Sequence, residues 1–241
     1  MTIALETRGL RKSFGQVLVI DDLSISVNEG EALGIVGPNG AGKTTWFNLV
    51  TGAVHADEGK VFFDGKDISH LSIHGRCRLG IGRTFQIPRP FTGMTVFENV
   101  LVGATHGRKK AERASYQRCW DCLETTGLAA KANMLAASLT LLDRKRLELA
   151  RALATDPALL LMDEIAGGLT EAEVQVLIEE IKNLRESGIS IVWIEHIVHA
   201  LLAVVDRIVV IQFGSELCQG DPRDVMNSAE VQACYMGGTP A

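Results

Sequence analysis

The apolar positions of the chain fall into two periodicities, and the switch between them outlines the architecture. Residues 3–28 alternate in short β-like stretches, Ile3–Thr7, Val17–Ile20 and Leu23–Val27, separated by turn residues. Asn28–Glu31 turns into Ala32–Val36, a run without polar positions that predicts a buried strand. Thr45–Gly52 reads as a helix closed by its glycine. Gly59–Ile68 predicts a hairpin with Asp64-Gly65 at its turn, and Gly80–Gln86 a strand ending in a polar residue, followed by the stiff segment Ile87–Pro90. From Thr95 to about Leu153 helical spacing replaces strand signals around a hydrophilic middle, 107–113. Strands resume afterwards, so the stretch reads as an inserted helical lobe within one domain spanning 1–241. Leu159–Met162 predicts another buried strand, ending in Asp163-Glu164. Thr170 with Glu173 three positions on writes a capping box. Val174, Leu177, Ile178, Ile181 and Leu184 then mark the buried face of a helix that Gly188 stops. Ile189–Ile194, a helix through Leu202, a strand Arg207–Ile211 and a polar tail complete the chain. Strands alternating with helices predict a mostly parallel α/β sheet, with ligand at the C-terminal ends of its strands.

Composition narrows the class. The 241 residues suffice for one large core, and 46% hydrophobic with 22% charged residues is an ordinary globular balance. A net charge of −5 leaves no basic excess for counterion release and argues against nucleic acid as a partner. The longest apolar runs, such as Ala158–Met162 and Ala200–Val205, fall far short of the roughly 18 residues that span a bilayer. The first residues lack a signal-peptide pattern, so synthesis is expected in the cytosol, with docking on a membrane protein left open. Of five cysteines only Cys119 and Cys122 are suggestively spaced, and neither a second ligand pair nor a redox context accompanies them.

The chemistry starts at Gly37-Pro38-Asn39-Gly40-Ala41-Gly42-Lys43-Thr44, which matches G-x-x-x-x-G-K-[ST] between a strand and a helix. Its glycines let successive N–H groups converge on a di- or triphosphate, and the helix N-terminus adds partial positive charge. Lys43 is expected to reach the β- and γ-phosphates and the Thr44 hydroxyl to ligate Mg²⁺, with Thr45 beside it. Asp163, at a strand's end, is placed to orient Mg²⁺, and Glu164 to polarise the water that attacks phosphorus. His196 reads as a strand-terminal donor to a γ-phosphate oxygen, and Gln86 as a sensor of Mg²⁺ and the attacking water. Phe14, in the first turn, fits either a stacking platform for adenine or the core, and His199 reads as surface or packing.

With the phosphate loop, Gln86, Asp163-Glu164 and His196 in this order, the chain resembles an ABC transporter nucleotide-binding subunit over essentially its whole length. Gly82–Gln86, Met94–Gly103 and Arg146–Leu153 look more narrowly like the branched-chain (hydrophobic) amino acid import type. The resemblance implies a P-loop NTPase fold with a RecA-like core, an antiparallel β subdomain and a helical subdomain. It also implies ATP and Mg²⁺ as cofactors, hydrolysis that powers import, and a seat on the cytoplasmic face of the inner membrane. Its partners would be two membrane permease subunits, a second and different ATP-binding subunit, and, indirectly, a periplasmic solute-binding protein. Non-transport ABC switch proteins and P-loop small-molecule kinases are the alternatives; the first usually carry tandem cassettes or basic surfaces, the second an arginine-rich lid.

Three departures stand out. The family's L-S-G-G-Q signature falls on Leu139, Thr140, Leu141, Leu142 and Asp143. Thr140 keeps a hydroxyl, but two leucines replace glycines, and Asp143 places a carboxylate where it would repel a triphosphate by about 1 kcal/mol or more. Arg144, Lys145 and Arg146 are the expected offset. Ile165 stands where a proline usually follows the catalytic glutamate, and Thr170 where the D-loop has an acid or amide.

Overall fold

The computed structural model describes residues 2–107 and 112–236. Part of the hydrophilic middle expected at 107–113 therefore lies outside the described residues. The chain divides into two compact units: one runs to Ile73 and resumes at Ser190, and the other is His74–Ile189.

The first unit opens with β1 (Ile3–Phe14), β2 (Val17–Leu23) and β3 (Ser26–Asn28). Beyond β4 (Ala32–Val36) and α1 (Lys43–Thr51) come β5 (Glu58–Phe63) and β6 (Lys66–Asp67). β2, β1, β5 and β6 form an antiparallel sheet in that order, with β3 also paired to β1. β1 is longer than the expected Ile3–Thr7 because it serves different partners in turn. It pairs with β3 as far as Glu6 and with β2 from Leu10 onward, while its pairing with β5 runs from Leu5 to Arg11. The changeover lies at Gly9, whose positive φ of 55° suits glycine. The same changeover breaks the strand expected at Leu23–Val27: Leu23 ends β2, Ser24 Oγ accepts the Gly9 N–H at 2.8 Å, and pairing resumes at Ser26. The hairpin around Asp64 and Gly65 forms as expected, both residues at positive φ. Trp46 and Phe47 of α1 are fully buried, and the Trp46 indole N–H donates to Thr7 Oγ1 at 3.2 Å.

The second unit starts with a helix that the sequence pattern did not announce, α2 (Ile73–Leu79), and then β7 (Ile81–Arg83). Helices α3 (Val96–His106), α4 (Glu112–Thr125) and α5 (Leu141–Ala154) occupy the stretch expected to be helical, with 3₁₀ turns at Ala129–Lys131 and Ala136–Ser138. β8 (Leu159–Asp163) runs parallel to β7, and α6 (Glu171–Glu186) follows. β7 stops at Arg83, three residues before the expected end at Gln86. Thr84 N–H still bonds Leu161 O at 2.9 Å, but at Glu164 the chain turns to a positive φ of 47° and leaves the ladder, so residues 85–86 have no strand of this unit to pair with. The capping box at Thr170 and Glu173 forms, and the five apolar positions assigned to the inner face of α6 are the ones buried.

The chain then returns to the first unit through β9 (Ser190–Ile194), α7 (Val198–Leu202) and β10 (Arg207–Gln212). β4 lies between β10 and β9, parallel to both, and fully buried. The expected polar tail is instead structured: β11 (Ser215–Gly220) pairs antiparallel with β10 across a two-residue turn at Phe213-Gly214. Helices α8 (Pro222–Asn227), capped by Asp221, and α9 (Ala229–Met236) follow. Both turn residues have positive φ, as a tight hairpin requires.

Candidate functional site

The phosphate loop joins β4 to α1 in the first unit. Gly37 has a φ of 150°, and a Cβ there would lie 2.1 Å from Ile211 O, so any side chain would force β10 away. Gly42, at φ 104°, would set a Cβ 2.9 Å from Val19 O. α1 begins at Lys43 without a side-chain cap, which leaves its first N–H groups for an anion. Lys43 is buried, and its ammonium donates to the loop's own carbonyls, Gly37 O at 2.7 Å and Pro38 O at 3.0 Å. Asn39, Gly40 and Thr44 are exposed, Pro38 and Thr45 partly so, and Ala41 is buried, its carbonyl accepting Gly214 N–H at 3.0 Å. This is a donor-rich cradle with an exposed hydroxyl at its end, and it fits a magnesium-bound polyphosphate.

Two further candidates belong to this unit. Phe14 ends β1 and is 49% exposed, with Lys12 Nζ 5.6 Å from its ring centre, so its ring is a surface platform and not core. His196 does not terminate β9 as expected: the strand stops at Ile194, and exposed His196 lies two residues beyond, its N–H on the carboxylate of buried Glu195 at 2.9 Å.

The second unit carries the acids. Asp163 ends β8, is buried, and accepts from Arg83 Nη2 at 3.0 Å. Burial pushes the Arg83 guanidinium pKa down, and the Asp163 charge and hydrogen bond pull it back up. Glu164 projects from the left-handed turn, and the Gln86 amide donates to its Oε2. Gln86 and Glu164 are thus brought together although Gln86 is not on a strand. Buried Lys145 donates to Gln86 O at 3.0 Å and Glu164 O at 3.1 Å, tying down both backbones. Sequence reasoning missed the roles of Arg83 and Lys145. One signal was available for Lys145, which shares the apolar stripe of α5 with Leu149, Ala152 and Leu153.

The altered signature forms the start of α5. Leu139 is buried, and Thr140 caps the helix, its Oγ1 accepting Asp143 N–H at 3.3 Å and donating to Asp143 Oδ2 at 2.8 Å. Asp143 is only 3% exposed and pairs with Lys131 Nζ at 2.5 Å. Burial works to raise its pKa, but the Lys131 and Thr140 hydrogen bonds outweigh burial and hold it below the usual carboxylate value. The expected offset holds for Arg146, whose charge also lowers the Asp143 pKa although its ion pair is with Glu180. The direct partner is Lys131, and Arg144 and Lys145 are directed instead to Ala137 O and to the Gln86 and Glu164 carbonyls. Leu142 is half-buried, whereas Leu141 is 47% exposed.

A strand running into a glycine cradle at a helix N-terminus, with the loop lysine inside, and a second unit that carries an acid-ended strand define a phosphate-loop nucleoside triphosphatase. The chain belongs to the ABC transporter family, whose pattern matches residues 20–167. It is similar to a probable branched-chain amino acid transport ATP-binding protein LivG of Archaeoglobus fulgidus, 36% identical over 97% of this chain and 95% of that protein. It also resembles the lipopolysaccharide export ATP-binding protein LptB of Haemophilus influenzae, 34% identical over 97% of both chains. Among solved structures, the ADP conformation of MJ1267, an ATP-binding cassette of an ABC transporter, superposes with a TM-score of 0.91 at 31% identity, covering 98% of this chain and 100% of that one. The fold is that of an ABC ATPase cassette, and the protein is an ATP-binding, ATP-hydrolysing subunit of a transporter. Among the described residues no helix is long and apolar enough to cross a membrane.

Proposed function

We propose that this subunit powers import of branched-chain or other hydrophobic amino acids, or related small solutes, from the cytoplasmic face of the inner membrane. The reading of its hydrolytic chemistry rests on one observation above all: a glutamate held in a left-handed turn, with the Gln86 amide on its carboxylate and Lys145 on its carbonyl. A carboxylate fixed in this way suits activation of water. On this reading Lys43 leaves the carbonyls of Gly37 and Pro38 for the β- and γ-phosphates, and Phe14 stacks on adenine. Thr44, Asp163 and Gln86 serve Mg²⁺, which usually takes one or two carboxylates and fills its shell with nucleotide phosphate oxygens and water. Glu164 is the general base and His196 a γ-phosphate donor. The import assignment is supported by LivG proteins, among them that of Salmonella typhimurium at 35% identity over 97% of this chain.

The segment after β7 suits a membrane subunit's cytoplasmic loop. Phe85, Ile87 and Phe91 are exposed, while the backbone beneath them is pinned: Phe91 exchanges hydrogen bonds with the Asn99 side chain, and Arg151 donates to Arg89 O at 2.9 Å. A stiff backbone presenting apolar side chains is a docking surface that can transmit force. The remaining partners on this reading are a second, different ATP-binding subunit and a periplasmic solute-binding protein acting through the membrane pair. The test is purification with its two membrane subunits and measurement of ATPase stimulation by loaded binding protein. Glu164→Gln is expected to keep ATP binding and lose turnover by roughly 10²-fold or more. Near-normal turnover would refute the role of Glu164, and stimulation by a binding protein of another solute class would refute the import assignment.

A further inference from the structure

The C-terminal helix of the first unit reaches back to the phosphate loop. Gly37 is buried, and its N–H donates to the hydroxyl of Tyr235, 198 residues away on α9, at 2.9 Å. A buried N–H requires an acceptor, and among the described residues the Tyr235 oxygen is the one that meets it. The other side of the same residue is held differently, because Gly37 O accepts from Lys43. Gly37 is therefore gripped twice, by the lysine that binds phosphate and by a tyrosine that does not. Its φ is 150°, and a Cβ there would lie 2.1 Å from Ile211 O, so the loop backbone packs directly on β10. When Lys43 turns to a phosphate, the carbonyl grip goes and only the tyrosine grip stays.

We propose that Tyr235 is a positioning residue for the phosphate loop, holding the Gly37 peptide in its nucleotide-binding geometry while Lys43 exchanges loop carbonyls for phosphate. α9 is a suitable base for it: Val231 is buried, Asp221 caps the preceding helix, and Met226, Val231 and Gln232 line a cavity of about 280 Å³ with Tyr235. Tyr235 is 45% exposed overall, and the hydrogen bond to Gly37 is what holds its hydroxyl. Burial raises the phenol pKa, with the Gly37 hydrogen bond working the other way, so the hydroxyl is neutral at physiological pH.

The experiment compares Tyr235→Phe with Val231→Ala in the assembled transporter. Tyr235→Phe keeps the ring and removes only the hydroxyl that accepts from Gly37 N–H. It is expected to raise the KM for ATP and the Kd of a fluorescent ATP analogue about three- to tenfold, the worth of one hydrogen bond. kcat should stay within about twofold, since the hydrolytic groups are untouched. Val231→Ala loosens α9 and lowers Tm, yet leaves ATP affinity in place. Amide exchange of the peptide carrying Gly37 should accelerate in Tyr235→Phe and not in Val231→Ala. Unchanged ATP affinity in Tyr235→Phe would overturn the proposal. So would an equal affinity loss in Val231→Ala, which would make α9 packing, not the hydroxyl, the cause.

Discussion

An ammonium group buried to 5% exposure has to find acceptors for its protons, and Lys145 finds two in the carbonyls of Gln86 and Glu164. The second carbonyl belongs to a residue at φ 47°, a conformation that costs a non-glycine residue of order 1–3 kcal/mol and persists only where the surroundings over-determine it. Lys145→Met removes that restraint from both carbonyls, Glu164 O keeping the Gly167 N–H at 3.3 Å. Turnover is expected to fall about 10–100-fold, as misplaced catalytic groups do, while ATP binding, measured by equilibrium titration, stays near wild type. A different balance governs Asp143, which is buried beside a lysine that is 38% exposed. Lys131→Met should cost on the order of 1–2 kcal/mol in urea unfolding, between the values for surface and buried pairs. Adding Asp143→Asn should recover much of it. Asp143 titrates below its unfolded value, so its stabilising contribution is present above about pH 4. It is lost as the pH falls through the depressed folded-state value. The stability gap between wild type and Asp143→Asn is therefore widest near neutrality and closes in acid.

Elements whose signals are local were legible in the sequence, and α6 is the clearest. Its capping box and its five buried positions follow from a 3.6-residue period and two side chains three apart. Thr170→Ala should cost about 1 kcal/mol in equilibrium unfolding, the value of a lost cap. β4 and α1 were equally plain, with Gly52 at φ 76° closing the helix. Strand ends were not, because a strand lasts only as long as its neighbour. β7 stops early when Glu164 leaves β8, and the β2–β3 break follows from β1 changing partners. β11 escaped because it is half-buried along most of its length and shows no clear alternation, although Asp221-Pro222 was a readable helix start. Contacts across long sequence separations left no trace to read. Thr7 is one: its hydroxyl accepts from Ile25 N and Trp46 Nε1 and donates to Ile25 O, joining β1, the β2–β3 link and α1. Thr7→Val keeps the shape and strands those groups, so a loss of roughly 2–3 kcal/mol is expected in the same unfolding assay.

At the scale of the whole molecule, the phosphate loop belongs to one unit and the altered signature to the other, and their unequal condition bears on how the subunit assembles. Asp143 is neutralised within its own unit, so the expected repulsion of a partner's triphosphate loses most of its force. On the proposed reading, two other features would weaken the face. The Thr140 hydroxyl proton is engaged by Asp143 Oδ2, and Leu141 stands 47% exposed on the first turn of α5, where the family's glycine would let backbone approach phosphate. In a homodimer both ATP sites would combine a complete Lys43, Glu164 and His196 set with this impaired face. Opposite a different subunit the impairment is confined to one site, and this chain's phosphate loop meets an intact signature. The expected outcome is a heteromer with unequal sites. Expressed with the membrane pair and its neighbouring ATPase subunit, Glu164→Gln here should abolish most turnover, and the equivalent change in the partner should cost much less. Equal losses, or full activity from this chain and the membrane pair alone, would mean that Leu141 and Thr140 still accommodate phosphate and that the departures from the family signature are silent.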